Sequence, residues 1–301
     1  MLSFVLIIIT SLFFTGVVIK TKSLASGRKG PGILQPLKDL IRLFKKSSVY
    51  SKTTSFIFQI APSVYIASVL IAILVIPFNQ TKGLISFEGD FVFFAYVLAT
   101  GKFFNIISAL DTGSSFQGMG AAREALFSML VEPAFFLIIG SLVLLTGHTS
   151  FADIFYTLQF GSYISFTLRI LIVFVLIMIA MVENSRLPVD DPKTHLELTM
   201  VHEVMILDNS GFDLGLITYA TYLKFALYGA LIANLFIGGL TLYIAIPVFF
   251  AVQVLFAVSA GLIESFIARF RMNHNAQFIF VLSSVCILIF FGALLIIGKF
   301  I

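Results

Sequence analysis

The chain has 301 residues, 59% apolar and only 11% charged, with a net charge of +4 and a mean hydropathy of +1.06. Ordinary soluble domains carry about 25% charged residues, so this composition excludes a soluble globular enzyme and is that of an all-α integral membrane protein. The single cysteine, Cys286, excludes an internal disulfide and a four-thiolate metal or iron–sulfur site. The basic residues lie between apolar runs, which reads as membrane topology and not as a nucleic-acid surface.

A spanning helix needs about 20 mostly apolar residues. About eight runs meet that requirement: 2–20, 56–78, 90–110, 124–147, 163–184, 213–238, 241–265 and 276–299. The first has no basic residues before it, and Lys20 and Lys22 follow it, so it reads as a retained helix and not as a cleaved leader. Together the runs predict one polytopic membrane domain, 1–301, with loops on one side at 21–55, 111–123, 185–212 and 266–275. That side carries 14 Lys and Arg residues against 2 opposite. The positive-inside rule makes it cytoplasmic and places both termini outside.

Loop one contains GRKGPGILQPLKDLIRLFKKSS. From Leu37 the apolar positions follow helical spacing with a basic opposite face, which predicts an interfacial amphipathic helix, too short and too charged to span. The glycines here lack the Gly-Lys-Ser/Thr of a phosphate loop. In loop three, Asp111, Thr112, Ser114 and Ser115 are capping residues. Arg123 and Glu124 mark the start of the fourth span. Glu132 lies about 12 Å deeper along that helix, where a carboxylate is costly and signals function. Lys102, Arg169 and Lys224 also fall within spans; Lys224, near mid-membrane, calls for a carboxylate partner.

Loop five concentrates charge. Between 182 and 211 lie six of the chain's fifteen acids, Glu183, Asp190, Asp191, Glu197, Glu203 and Asp208, together with His195 and His202. Thr194 is a candidate cap for a helix over 194–207 that would place His195, Thr199, His202 and Ile206 on one face and Leu196, Met200, Glu203 and Leu207 on another. The carboxylates alternate with leucine, methionine and valine, so this is a half-buried or re-entrant helix and not a solvated loop. A zinc-protease site, a zinc-deaminase site and a nucleophile elbow are each excluded by missing partners. Buried carboxylates in a row are what a proton relay requires.

Three segments, RKGPGILQPLKDLIRLFKK (28–46), SALDTGSSFQGMGAAREALFSMLVEP (108–133) and ENSRLPVDDPKTHLELTMVHEVMILDNSG (183–211), resemble the membrane-anchor subunit shared by respiratory complex I and the group 4 membrane-bound NiFe hydrogenases. Val189, Lys193 and His195 depart from the acid-rich run of the quinone-reducing branch. THLELTMVHE looks instead like the hydrogenase-4 and formate hydrogenlyase branch.

The resemblance implies a subunit of the prokaryotic cytoplasmic membrane with no cofactor of its own. The NiFe centre and iron–sulfur clusters would sit in partners: the NiFe large subunit, a small iron–sulfur subunit and a ferredoxin-like subunit. Antiporter-like subunits and lipid would surround it in the bilayer. Glu124, Glu132, Glu183, Glu197, Glu203, Asp208 and Lys224 become candidates for a proton path. Arg28, Lys29, Gln35, Asp39, Asp111, Arg123, Arg186, Asp190, His195 and His202 become candidates for docking the arm or holding the loops. The alternatives are a quinone-site subunit of NADH:quinone oxidoreductase and a stand-alone secondary transporter; the halves show no internal repeat of the kind a transporter would carry.

Overall fold

The computed structural model describes residues 1–158, 163–191 and 200–298, without the side chains of 163–165. Among these residues there are eleven helices and no strand: α1 (Leu2–Ala25), α2 (Gln35–Phe44), α3 (Phe56–Val75), α4 (Asp90–Asp111), α5 (Ser115–Thr146), α6 (Phe151–Thr157), α7 (Tyr163–Glu183), α8 (His202–Met205), α9 (Gly211–Ile237), α10 (Leu242–Phe266) and α11 (Met272–Ile296). Eight of them, all but α2, α6 and α8, are long and apolar enough to cross a membrane. The eight expected runs are therefore all present, with shifted ends.

One helix is the axis. In its apolar window α9 is 83% buried inside the protein, against 28–50% for the other seven, so α9 contacts mainly protein and the others face lipid on one side. Helices α1, α2, α3, α7 and α10 pack on it, α4 pairs with α3, and α5 packs on α4 and α11. A helix with no lipid-facing side can carry polar residues that lipid would reject, and α9 carries Lys224, 1% exposed, and Asn234, 3% exposed.

The loop side holds the smaller elements. Helix α2 buries Pro36 and Leu40 and leaves Lys38, Arg42 and Lys45 exposed, the amphipathic arrangement expected. Its Phe44 packs on Phe212 and Tyr219 of α9, where Gly215 leaves room for the ring. Glu264 of α10 pairs with Lys22 of α1 at 3.4 Å and with Arg186 of loop five at 2.8 Å. The Arg186 guanidinium also lies 4.8 Å from the Phe225 ring centroid.

Two expectations need correction. The segment 115–123, read as loop, forms the first turns of α5, a helix of 32 residues and so about 48 Å long. Its start is set by Gly113 at φ 68° followed by extended Ser114. Its glycines do not break it, because Gly120 lies against α8, where a Cβ would stand 2.8 Å from the Val201 carbonyl oxygen and press on Val204. The predicted helix over 194–207 is realised, within the described residues, only at His202–Met205. Asp190 Oδ2 accepts the backbone N–H of Val201 at 3.2 Å and of His202 at 3.0 Å, so the first free N–H groups of the helix are satisfied there and the turn begins at that point.

Helix α6 was not anticipated, although Ser150-x-x-Asp153 is a helix-start signature. Buried Asp90 receives the Ser150 hydroxyl and the Phe151 N–H at 2.9 and 2.8 Å.

Gly120→Leu should force α8 away from α5. Overpacking of this kind costs about 1–3 kcal/mol, and the expected outcome is a lower unfolding temperature in detergent together with faster proteolysis in the segment 186–210.

A buried charge cluster as the candidate functional site

Four spanning helices each bring one charged side chain to a common point. Lys102 stands on the buried stripe of α4 with Gly101, Asn105 and Ser108. Glu124 is on α5, Glu183 is the last residue of α7, and Lys224 is on α9. Lys102 Nζ lies 3.0 Å from Glu124 Oε1 and 3.1 Å from Glu183 Oε2. Lys224 Nζ lies 2.7 Å from the same Glu183 oxygen and donates to the Glu183 main-chain carbonyl at 2.8 Å. Just past the end of α7, Ser185 takes a left-handed conformation, φ 49°. That turn aims its hydroxyl back at Glu124 Oε2, 3.0 Å away.

The order is Glu124, Lys102, Glu183, Lys224: two cations and two anions. Each ion taken out of water costs several kcal/mol even after relaxation, and only close pairing with satisfied hydrogen bonds offsets that. An odd charge could not remain here unpaired. The cluster is therefore held neutral, and moving one proton into it must break one of its pairs.

Three cavities adjoin the cluster. A small one, about 10 Å³, is bounded by Tyr65, Lys102, Asn105, Glu124, Glu183 and His202 among others. A second, about 50 Å³, extends from Lys102 and Glu183 past Ser128 and Tyr228 to Glu132. The third, about 190 Å³, lies toward loop five between Lys22, Arg186, His202, Glu203, Tyr222 and Glu264. The small cavity shares side chains with both others, so polar groups run without a break from Glu203 through the cluster to Glu132.

The predicted proton-path residues divide accordingly. Glu124, Glu183 and Lys224 meet in the cluster; Lys224 has the carboxylate partner it called for. Half-buried Glu132 and Glu203 each line one of the flanking cavities. Asp208 is exposed on the turn after α8, away from the cluster. Glu197 lies outside the described residues, as does His195.

The loop residues divide as well. Arg28 and Lys29 are exposed on the turn between α1 and α2. Gln35 donates to exposed Asp39 at 2.9 Å within α2. Asp111 accepts the Ser55 N–H at 2.7 Å and so steadies the start of α3. Arg123 donates to the Met200 carbonyl at 3.0 Å, Arg186 pairs with Glu264, and Asp190 pairs with Arg269 at 2.8 Å; these three hold loop five in place. Burial alone pushes the Asp190 carboxyl above its usual range, and the His202 N–H and Arg269 work against that.

Sequence reasoning missed Lys102, Tyr65 and Ser185 as members of the site. For Lys102 the signal was present: Lys102, Asn105 and Ser108 recur every three residues in an otherwise apolar helix, which places them on one face.

The sequence matches the family described as NADH dehydrogenase over residues 1–297. The chain belongs to that family. Among its relatives, Hydrogenase-4 component C of Escherichia coli (strain K12) is 32% identical over 233 residues, covering 77% of this chain and 72% of that protein. Formate hydrogenlyase subunit 4 of the same organism is 26% identical over 269 residues, 86% of each chain. An NADH-quinone oxidoreductase membrane subunit of Neisseria meningitidis serogroup C is 28% identical over 218 residues, covering 70% of this chain and 60% of that one. The fold is shared with a chain of the membrane-bound sulfane sulfur reductase, an archaeal respiratory membrane complex, at a TM-score of 0.80 and 19% identity over 97% of this chain and 98% of that one. This NADH dehydrogenase family member is therefore a multi-pass membrane subunit of the hydrogenase-4, formate hydrogenlyase or complex I type. Among the described residues, no group of three or more His, Cys, Asp and Glu side chains is placed to hold a metal ion.

Removing one member of the cluster should cost more than removing a pair. Lys102→Met leaves two carboxylates against one cation and should destabilise by about 3–5 kcal/mol. Lys102→Met combined with Glu124→Gln restores neutrality and should recover a large part of that loss. Thermal unfolding of the two single variants and the double variant in detergent tests this; additive losses would contradict it.

Proposed function

We propose that this chain is the anchoring and coupling subunit of a membrane-bound hydrogenase in a prokaryotic cytoplasmic membrane. On this reading its loop side faces the cytoplasm and holds a peripheral arm made of a NiFe large subunit, a small iron–sulfur subunit and a ferredoxin-like subunit. Its membrane face adjoins antiporter-like subunits. It moves no electrons itself. Redox events in the arm shift loop five, and the buried cluster converts that shift into translocation of protons or sodium ions.

The observation that carries the reading is the neutral quartet Glu124–Lys102–Glu183–Lys224, flanked by cavities that reach Glu203 on one side and Glu132 on the other. A fold needs no such arrangement inside a bilayer, where apolar packing would serve better. The energies match the task. Moving one charge across 100 mV takes about 2.3 kcal/mol, and one pKa unit at a carboxylate is worth about 1.4 kcal/mol. Rearranging a single pair in the quartet is thus enough to drive or block one proton. The hydrogenase assignment over a quinone-site subunit draws on the two Escherichia coli relatives, which match over a larger share of this chain than the NADH-quinone oxidoreductase relative does.

In the assembled complex in proteoliposomes, Glu183→Gln and Glu132→Gln should each lower the number of ions translocated per hydrogen formed by several-fold. Normal stoichiometry in both variants, with the complex intact, would falsify the coupling role. For anchoring, the double charge reversal Arg28→Glu with Lys29→Glu should release the peripheral arm during size-exclusion chromatography while the membrane part stays monodisperse. An arm that remains bound at moderate salt argues against docking at this turn.

A further inference from the structure

Between the 190 Å³ cavity on the loop side and the 10 Å³ cavity at the cluster stands a thin wall. Four side chains line both spaces: Asn184, Ser185, His202 and Thr221. An amide and two hydroxyls can pass a hydrogen bond along, but they do not hold an extra proton near neutral pH. Imidazole is the one of these side-chain types that gains and loses a proton in that range.

We propose that His202 is the entry group through which protons pass from the loop-side cavity into the charge cluster. The inference rests on the reading of the cluster as an ion path and names its gate. His202 is placed for this by three independent ties. Asp190 Oδ2, in a carboxylate 1% exposed, accepts the N–H of both Val201 and His202. Arg123 of α5 holds the Met200 carbonyl two residues earlier. Gly120 lets α8 lie directly on α5. The backbone is thereby fixed and the ring is left as the movable part, half-buried at the wall.

The charges around the ring are named by element. Glu124 of α5 and Asp190 of loop five act on it directly, and Glu203 follows it on α8. Across the small cavity stand Lys102 of α4 and Glu183 of α7; across the large one stand Lys22 of α1, Tyr222 of α9, Glu264 of α10 and Arg186. The acceptor on the inner side is Glu124, whose Oε1 is held by Lys102 and whose Oε2 takes the Ser185 hydroxyl.

The step balances without any electron transfer. An imidazolium N–H bond breaks, and the proton crosses the small cavity, which has room for about one water. An O–H bond forms on Glu124, and Lys102 loses one of its two carboxylate partners and turns wholly to Glu183. The neutral imidazole then takes a proton from water in the larger cavity. Neither Glu203 nor Asp190 lines both cavities, so neither can take this role at the wall.

The test uses the intact complex in proteoliposomes and reads proton translocation per hydrogen formed as a function of pH. His202→Gln should lower the initial translocation rate by on the order of tenfold or more, the range of a lost general acid–base group. Imidazole added on the loop side should restore most of that rate in His202→Gln and none of it in Glu124→Gln. Normal translocation in His202→Gln overturns the proposal, and so does a loss that imidazole leaves untouched, which would mark a packing role. Restoration of Glu124→Gln to the same extent overturns it too, because the rescue would then bypass the ring. Glu124→Gln also separates the two levels. If it abolishes translocation while His202→Gln does not, only the entry group is wrong; if both translocate normally, the cluster reading fails with it.

Discussion

Charge neutrality inside the bilayer is the constraint from which the rest of this structure follows. Within lipid, apolar surfaces gain little by choosing one another over acyl chains, so the apolar faces of α4, α5, α7 and α9 do not by themselves select a register. The four charges do. Sliding any of these helices by one residue moves its side chain about 1.5 Å along the axis and rotates it by about 100°, which would break ion pairs of 2.7–3.1 Å. Glu183 is central because one of its oxygens serves both lysines and its main-chain carbonyl serves Lys224 again. The central position of α9 is part of the same solution: a fully buried Lys224 requires a helix with protein on all sides.

The spans were legible because bilayer thickness writes itself into sequence as run length, and a run of Phe, Leu, Ile and Val needs no tertiary information to be seen. Lys224 was legible as a residue in need of a partner for the same reason: an isolated ammonium at that depth is too costly to stand alone. Which carboxylate answers it was not legible, since Glu183 reads from sequence as a residue at the end of a span, facing water. The course of loops three and five was misread for one shared reason. Helix propensity over 194–207 and loop-like glycines over 113–120 are local signals, but the deciding contacts are distant: the Asp190 carboxylate on Val201 and His202, and α8 lying on Gly120. A glycine read as a break is here a close-approach site, and a helix start read at a threonine cap is set by an aspartate from the preceding turn.

Loop five and the cluster are joined by covalent neighbours. Glu183, Asn184, Ser185 and Arg186 are consecutive, and each faces a different part of the machine. Glu183 holds both lysines, Asn184 and Ser185 border the wall cavities, Ser185 holds Glu124, and Arg186 is clamped by Glu264 together with Lys22 of α1. A shift of the chain at Arg186 therefore cannot be absorbed before it reaches Ser185, the adjacent residue, held in a left-handed turn with little freedom to adjust.

That adjacency bears on how coupling could operate without a large movement. Packed interiors switch between discrete arrangements and do not deform smoothly. In a neutral quartet with one shared oxygen, the discrete alternatives are few: Lys102 pairs with Glu124 or with Glu183, and Glu183 serves one lysine or two. Withdrawing the Ser185 hydroxyl from Glu124 removes one of the hydrogen bonds that favour its ionised form, which raises its affinity for a proton. Once Glu124 is protonated, Lys102 has a single anion left and moves toward Glu183, whose second oxygen is free of the lysine pairs seen here. On the proposed reading a displacement of about an ångström at the turn after α7 is then sufficient, because the step it must bias is a choice between pairings that are already within hydrogen-bond reach.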